Sequence, residues 1–190
     1  MKETNLTIEQ IEDMLVGHPD SPFYIRQNIV IPNVAWGYLN HEADLLIESK
    51  SHYLTEVEIK RTWKDFMADF KKKHTHSDPK LSHFYYAVPE SIKEKVFRFL
   101  YNGEMPKYSY YKAKVEGPTE FNPHECGIIF YEEPSENNPR PRCRILVSSK
   151  RIGDYAISEK EELKLLRLCG MRVWALKNKV AKLQGKIKEQ

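Results

Sequence analysis

Residues 53–73, YLTEVEIKRTWKDFMADFKKK, change their repeat halfway along, and that change decides the fold. From Tyr53 to Lys60 the residues alternate, with Val57 and Ile59 on one side and Glu56, Glu58 and Lys60 on the other, the period of a strand. From Trp63 to Lys73 the repeat becomes helical. Trp63, Phe66, Met67 and Phe70 share one face, while Asp65, Asp69 and Lys72 fall together on another. A second strand-like run, His83–Val88 (HFYYAV), follows. Strand, crossover helix and strand in that order join parallel neighbours of one sheet. The charged side of the first strand admits two readings, a solvated face or a metal site.

Upstream, Thr7 and Gln10 have the capping-box spacing, and Ile8, Ile11, Leu15 and Val16 mark a helix that Gly17-His18-Pro19 ends. Two further strands are expected at Tyr24–Ile31, closed by Pro32-Asn33, and at Ala43–Glu48. With Tyr53–Lys60 they make an antiparallel meander. Asp44 shares a face with Leu46 and Glu48, and Leu45 and Ile47 occupy the other. Downstream, Pro89-Glu90-Ser91 opens a helix to about Leu100. Gly127–Tyr131 and Arg144–Ser148 read as two more strands around a mobile-looking loop, EEPSENNPRPR. Ser158, with Glu161 three residues on, caps a last helix that runs to about Leu183 and ends in a basic tail.

The expected architecture is therefore α/β, a helix–three strands–helix–strand (αβββαβ) core over residues 1–100 with a mixed central sheet flanked by helices. Residues 101–190 form an extension of loop, two strands and basic helix packed on the same domain.

Composition narrows the function classes. The chain has 190 residues, 41% of them hydrophobic and 30% charged, and its mean hydropathy of -0.63 is that of a soluble domain. No apolar run approaches the ~20 residues of a membrane span. The first residues, MKETNLTIEQIEDMLVGH, are acidic and amphipathic, unlike a signal peptide. Three widely spaced cysteines make no disulfide framework, so a reducing, cytoplasmic setting is expected. The net charge of +3 is unevenly spread. Residues 1–60 are acidic and residues 161–190 are basic, an arrangement that can hold a cation beside surfaces attractive to phosphates.

The chemistry concentrates in Asp44 and, thirteen residues later, Glu58-Ile59-Lys60. Neighbouring antiparallel strands bring the two carboxylates onto one face, where they repel unless a cation lies between them. A hard cation such as Mg²⁺ or Mn²⁺ suits oxygen ligands, and the Ile59 carbonyl can add one more. Lys60, one pleat beyond Glu58, can orient an attacking water or stabilise a phosphate. Glu12 or Glu9 from the first helix can complete the shell. Asp65 and Asp69 can support the site from the following helix or pair on a solvated face, and the basic patch of Lys71, Lys72, Lys73, His74 and His76 can contact phosphate or be simply solvated. Glu56 shares the parity of Glu58 but is expected to lie beyond the metal. His124, Cys126 and Cys143 lack a fourth ligand and read as free groups rather than a zinc site. Tyr108, Tyr110 and Tyr111, interleaved with lysines, can stack on bases or pack from a loop onto the sheet.

The order of elements and the Asp44…Glu58-x-Lys60 pattern resemble the PD-(D/E)xK nuclease superfamily, whose fold is restriction-endonuclease-like. The run VEIKRTWKDFMADFKKKH followed by LSHFYYAVPESI is similar to the MmcB-like group associated with DNA repair. The resemblance covers about residues 7–100, with Ala43 standing where the superfamily has Pro. It implies Mg²⁺-dependent hydrolysis of DNA phosphodiester bonds, in repair or in processing phage or mobile-element DNA, with Asp44 and Glu58 as ligands and Lys60 catalytic. The alternative is a nuclease-fold module that binds nucleic acid or a repair protein without cutting. DNA is the expected partner, no membrane is implied, and the C-terminal helix can serve a protein partner or a homodimer.

Overall fold

The structure, a computed structural model, describes residues 4–34, 37–72, 76–101, 125–136, 139 and 142–188. The capping box forms as its spacing requires. Thr7 Oγ1 accepts from the Gln10 N–H at 3.3 Å, and Gln10 Oε1 accepts from the Thr7 N–H at 2.8 Å. Helix α1 (Ile8–Val16) follows, burying Ile11, Met14 and Leu15. Its end at Gly17 is right-handed, φ -79, so the glycine's left-handed freedom is not used there.

Strand β1 (Ile29–Val34) starts five residues later than the sequence suggests. The Gln27 N–H and the Asn28 side-chain amide both bond the Tyr24 carbonyl, at 2.9 and 3.0 Å, and this closes a turn through the aromatic start of the expected strand. β1 then runs through Pro32, which is tolerated because β1 is an edge strand and no neighbour needs the missing N–H. β2 (Ala43–Glu48) and β3 (Leu54–Ile59) complete an antiparallel meander, with Leu45 opposite Val57 and Leu46 opposite Glu56.

Helix α2 (Trp63–Asp69), capped by the Thr62 side chain, carries the crossover. It stops four residues short of the expected Lys73 because its last turn tightens to three-residue hydrogen bonds, Lys71 to Ala68 and Lys72 to Asp69. β4 (Leu81–Pro89) pairs parallel to β3. A 3₁₀ turn (Glu90–Ile92) and α3 (Lys93–Tyr101) follow, β5 (Gly127–Glu132) pairs parallel to β4, and β6 (Arg142–Val147) pairs antiparallel to β5. Gly127 starts β5 where a Cβ would lie 2.2 Å from the Tyr85 ring, so only glycine fits.

The six strands form one mixed sheet in the order β1-β2-β3-β4-β5-β6, so the last two strands belong to the same sheet as the first four. Strand alternation separates its two cores. Ile11 and Leu15 of α1 pack with Leu45, Ile47, Val57, Ile59 and Ala87 on one face. Phe66 of α2, Phe70 at its C-terminal cap, and Val96, Phe99 and Leu100 of α3 pack with Phe84, Tyr86, Val88 and Ile128 on the other. The chain divides into two compact units, residues 1–156 and 157–190. The second is built on helix α4 (Glu159–Lys188), whose start is fixed by the Ser158 N–H and hydroxyl donating to Glu161 Oε2. α4 extends five residues beyond the expected Leu183. Among the described residues no helix is long and apolar enough to cross a membrane.

Candidate functional site

The charged side of β3 is not solvated. Glu56, Glu58 and Lys60 have relative exposures of 0%, 5% and 3%. Alternation sends them to the face that carries α2 and α3, because Val57 and Ile59 face α1. The antiparallel register that pairs Leu45 with Val57 sets Asp44 across from Glu58 one step further on. Asp44 Oδ2 accepts the Ile59 N–H at 2.8 Å, so the carboxylate is tied to β3 itself.

Burial, then the Glu58 charge, pushes the Asp44 carboxyl up to about 6, against the opposing pull of the Ile59 N–H, Lys60 and Lys72. Like charges set directly opposite on one sheet face are unfavourable. The donor set around that repulsion consists of carboxylate oxygens, which fits a hard divalent cation.

Two ammonium groups stand at the other carboxylates. Lys60 Nζ lies 2.7 Å from Glu58 Oε1 and 3.0 Å from Asp69 Oδ1. Lys72 Nζ lies 2.6 Å from Asp69 Oδ1 and 3.4 Å from Glu58 Oε1. Burial pulls the Lys60 amine down, but Glu58 and Asp69 outweigh it and hold its pKa above the usual value. The same balance with Asp69 raises Lys72. The backbone of Lys60 is fixed as well, its N–H donating to Ala87 at 2.9 Å and its carbonyl accepting from Tyr131 at 3.0 Å.

Behind the lysines the polar chain continues inward. Asp69 Oδ2 accepts from Tyr86 at 2.9 Å and contacts His76 Nε2 at 2.6 Å. His76 Nδ1 lies 2.6 Å from Glu56 Oε1, Glu56 Oε2 lies 2.7 Å from His41 Nε2, and His41 Nδ1 reaches Asn40 Oδ1 at 2.6 Å. Burial works against the charge of His76, but Glu56 and Asp69 lift its pKa to about 10. Burial likewise opposes ionisation of Asp69 and Glu56, and their histidine partners overcome it and hold both below the ordinary carboxylate range. The His76 ring also stacks on Phe84, centroids 4.5 Å apart.

Among the described residues of the unit 1–156, two groups of ligand atoms lie close enough to share a metal, His41 with Glu56 and His76, and Glu58 with Asp69 and His76. The histidine–carboxylate distances of 2.6 to 2.7 Å are those of hydrogen bonds. Two ligands on one tetrahedral zinc, each at about 2.0–2.1 Å, stand roughly 3.3 Å apart. The histidine network is therefore spaced for protons, and the Asp44–Glu58 end is where a cation would relieve repulsion.

Asp44, Glu58 and Lys60 thus share one face, and Asp69 joins them from α2. Lys72, expected among outward phosphate contacts, turns inward to Glu58 and Asp69, while Lys71 is exposed. Lys73 and His74 lie outside the described residues, as do His124, Tyr108, Tyr110 and Tyr111. Asp65 stands at the start of α2, where its Oδ2 accepts the Arg61 N–H at 3.2 Å. Glu9 and Glu12 belong to α1, which packs on the opposite face of the sheet. The Glu12 carboxyl is raised there by burial and by Glu9, and its Oε1 is buried without a hydrogen bond. Glu56 is not peripheral, as its place in the strand suggests, but the most buried acid of the cluster. Sequence reasoning also missed His41 and Tyr86, and it set His76 in an outward basic patch, whereas the ring is buried against Glu56 and Asp69. The two histidines sit outside helices and strands, where no period marks them, but Glu56 had a signal, the parity it shares with Glu58.

No family model matches the chain, and no curated protein matches it. Among solved structures it is similar to a protein of unknown function from Silicibacter pomeroyi, with 11% sequence identity and a TM-score of 0.53. That match spans 92% of this chain and 94% of the other, so the likeness is one of whole fold.

Proposed function

We propose that the chain is a metal-dependent nuclease with a restriction-endonuclease-like fold, of the PD-(D/E)xK kind and close to the MmcB-like group, hydrolysing phosphodiester bonds in DNA. The observation that carries this reading is the Asp44 carboxyl, held to about 6 by burial and by Glu58 across the β2–β3 ladder. An acid kept in such a position at a cost to itself is the usual mark of a cation or proton-transfer site. Asp44, Glu58 and the Ile59 carbonyl would hold Mg²⁺ or Mn²⁺. Such an ion, when bound, supplies Lewis acidity and a more acidic water. Lys60 contributes a fixed positive charge, held by Asp69 and by its own backbone bonds, where charge develops on the phosphate. Lys72, half exposed beside the same carboxylates, is suited to meet the phosphate as it arrives.

Incubation with single- and double-stranded DNA and RNA under Mg²⁺ or Mn²⁺ tests the reading. Cleavage is expected to fall about a thousandfold in Lys60→Ala and in Asp44→Asn, the scale seen when a transition-state donor is removed. Unchanged cleavage in both variants would sink it.

One observation favours a second reading, a nuclease-fold module that binds nucleic acid or a repair protein without cutting it. Glu58 and Asp69 already have Lys60 and Lys72 as counter-ions, so part of the acidic charge is neutralised from within. DNA binding with no heat of Mg²⁺ binding in calorimetry, and no cleavage, would select it.

A further inference from the structure

Helix α4 carries a pattern that the site does not use. Apolar residues recur at alternating steps of three and four, at Leu166, Cys169, Val173, Leu176, Val180 and Leu183, and the sequence extends the count to Ile187. This is the 3.5-residue repeat of a coiled-coil seam. Val173 and Val180 hold consecutive first positions and Leu176 and Leu183 the fourth, the choice that favours two parallel strands. The seam is bare, since Leu166, Val173, Leu176, Val180 and Leu183 have relative exposures between 43% and 62%. A continuous exposed apolar row of this kind marks a docking surface.

Charge identifies the occupant. From Leu166 to Lys188 the helix has seven basic residues and no acidic one. Arg172 and Lys179 flank the seam on one side and Lys177 on the other. Two parallel copies would set Arg172 of one against Lys177 of the other, and two antiparallel copies would set the Arg172–Lys179 sides together. Both arrangements oppose like charges, the usual device against self-pairing. An anionic lipid surface suits one unbroken apolar face with basic residues confined to the other side, whereas here Lys177 stands between the seam and the exposed Trp174 and Met171, and Arg172 and Lys179 border the seam's other edge. Nucleic acid has no apolar seam to cover this one.

We propose that α4 docks a partner protein through an amphipathic helix whose own heptad seam is flanked by Glu or Asp. The proposal is independent of the nuclease reading.

The test uses the full chain and two synthetic heptad peptides with the same Val/Leu seam, one flanked by Glu and one by Lys. The chain is expected to sediment as a monomer at micromolar concentration. Calorimetry should show the Glu-flanked peptide binding at least about tenfold more tightly than the other, with the difference shrinking as salt rises. Lys177→Glu with Lys179→Glu should abolish or reverse the preference. Leu176→Asp should remove binding while circular dichroism shows the helix retained, and the charge exchange decides the matter should that variant unfold. Dimerisation of the full chain that Leu176→Asp removes, equal binding of the two peptides, or binding to phosphatidylserine vesicles but to neither peptide would each overturn the proposal.

Discussion

Asp44→Asn should make the metal-free protein more stable at neutral pH. In the native state burial and Glu58 raise the Asp44 carboxyl from 3.8 to about 6. Below 3.8 the group is protonated whether the chain is folded or not, and it exerts no penalty. As the pH climbs through about 6, the native state is left holding a carboxylate that it disfavours, and stability is lost. That difference corresponds to about 3 kcal/mol above both values. Solvent reaching the half-buried group reduces it to about 2 kcal/mol. Asparagine cannot ionise, and its oxygen can still accept the Ile59 N–H. For a domain of this size about 2 kcal/mol is a rise in Tm of roughly 4–8 °C. Thermal unfolding in metal-free buffer at pH 8 and pH 4 should show the gain at the first and none at the second. Mg²⁺ should then raise the wild-type Tm and leave the variant unmoved. A variant no more stable at pH 8, or a wild type whose stability is flat from pH 4 to 7, would refute the argument from repulsion.

Two further outcomes concern the interior of the network. Glu56→Ala leaves His41 and His76 facing a buried gap, and guanidinium unfolding should show a loss of about 3–5 kcal/mol, the cost of breaking a buried pair from one side. A loss below about 1 kcal/mol would mean that the carboxylate is worth no more than a surface partner. The His76 imidazole, raised from 6.5 to about 10, supports the fold fully below 6.5, and that support fades as the pH rises through about 10. Chemical denaturation from neutral to strongly alkaline pH should show the decline, and a His76→Gln protein should show less of it.

Of the strands that carry the site, β3 was legible because its charges alternate with Val57 and Ile59, and β2 because it is a short, mostly apolar run bounded by turns. β2 coincides with its expected span and β3 lies within one residue of it at either end. The parallel pairing of β3 with β4 followed from the helical period between them. Tyr24–Asn28 misled because aromatic and β-branched content is a weak prior, and local bonds to the Tyr24 carbonyl prevailed over it. The acid pair and Lys60 were readable from parity alone. What parity does not reveal is depth. Whether Glu56 faces water or protein depends on α2 and α3 covering that face, a packing fact. His41 and His76 approach Glu56 from segments 15 and 20 residues away, without any repeat to announce them. Lys72 looked outward by composition, and the tight turn ending α2 lets it reach Glu58 instead.

The depth of the network also divides its labour. Burying charges in a domain is often no better for stability than filling the space with apolar side chains, so a chain that keeps them needs another reason. At the inner end Glu56, His41 and His76 are all buried and bonded to one another, which leaves little for a ligand to displace. At the outer end Asp44 is only half-buried and the Lys72 side chain is 53% exposed, so solvent can reach both. Lys60 and Asp69 stand between, joined to Lys72 and Glu58 on one side and to His76 on the other. A change at the inner end therefore acts first on folding and only afterwards on Lys60. A change at the outer end, at Asp44, leaves the fold intact or even more stable. The repulsion retained between Asp44 and Glu58, within reach of solvent, is the part of this arrangement that folding alone does not explain.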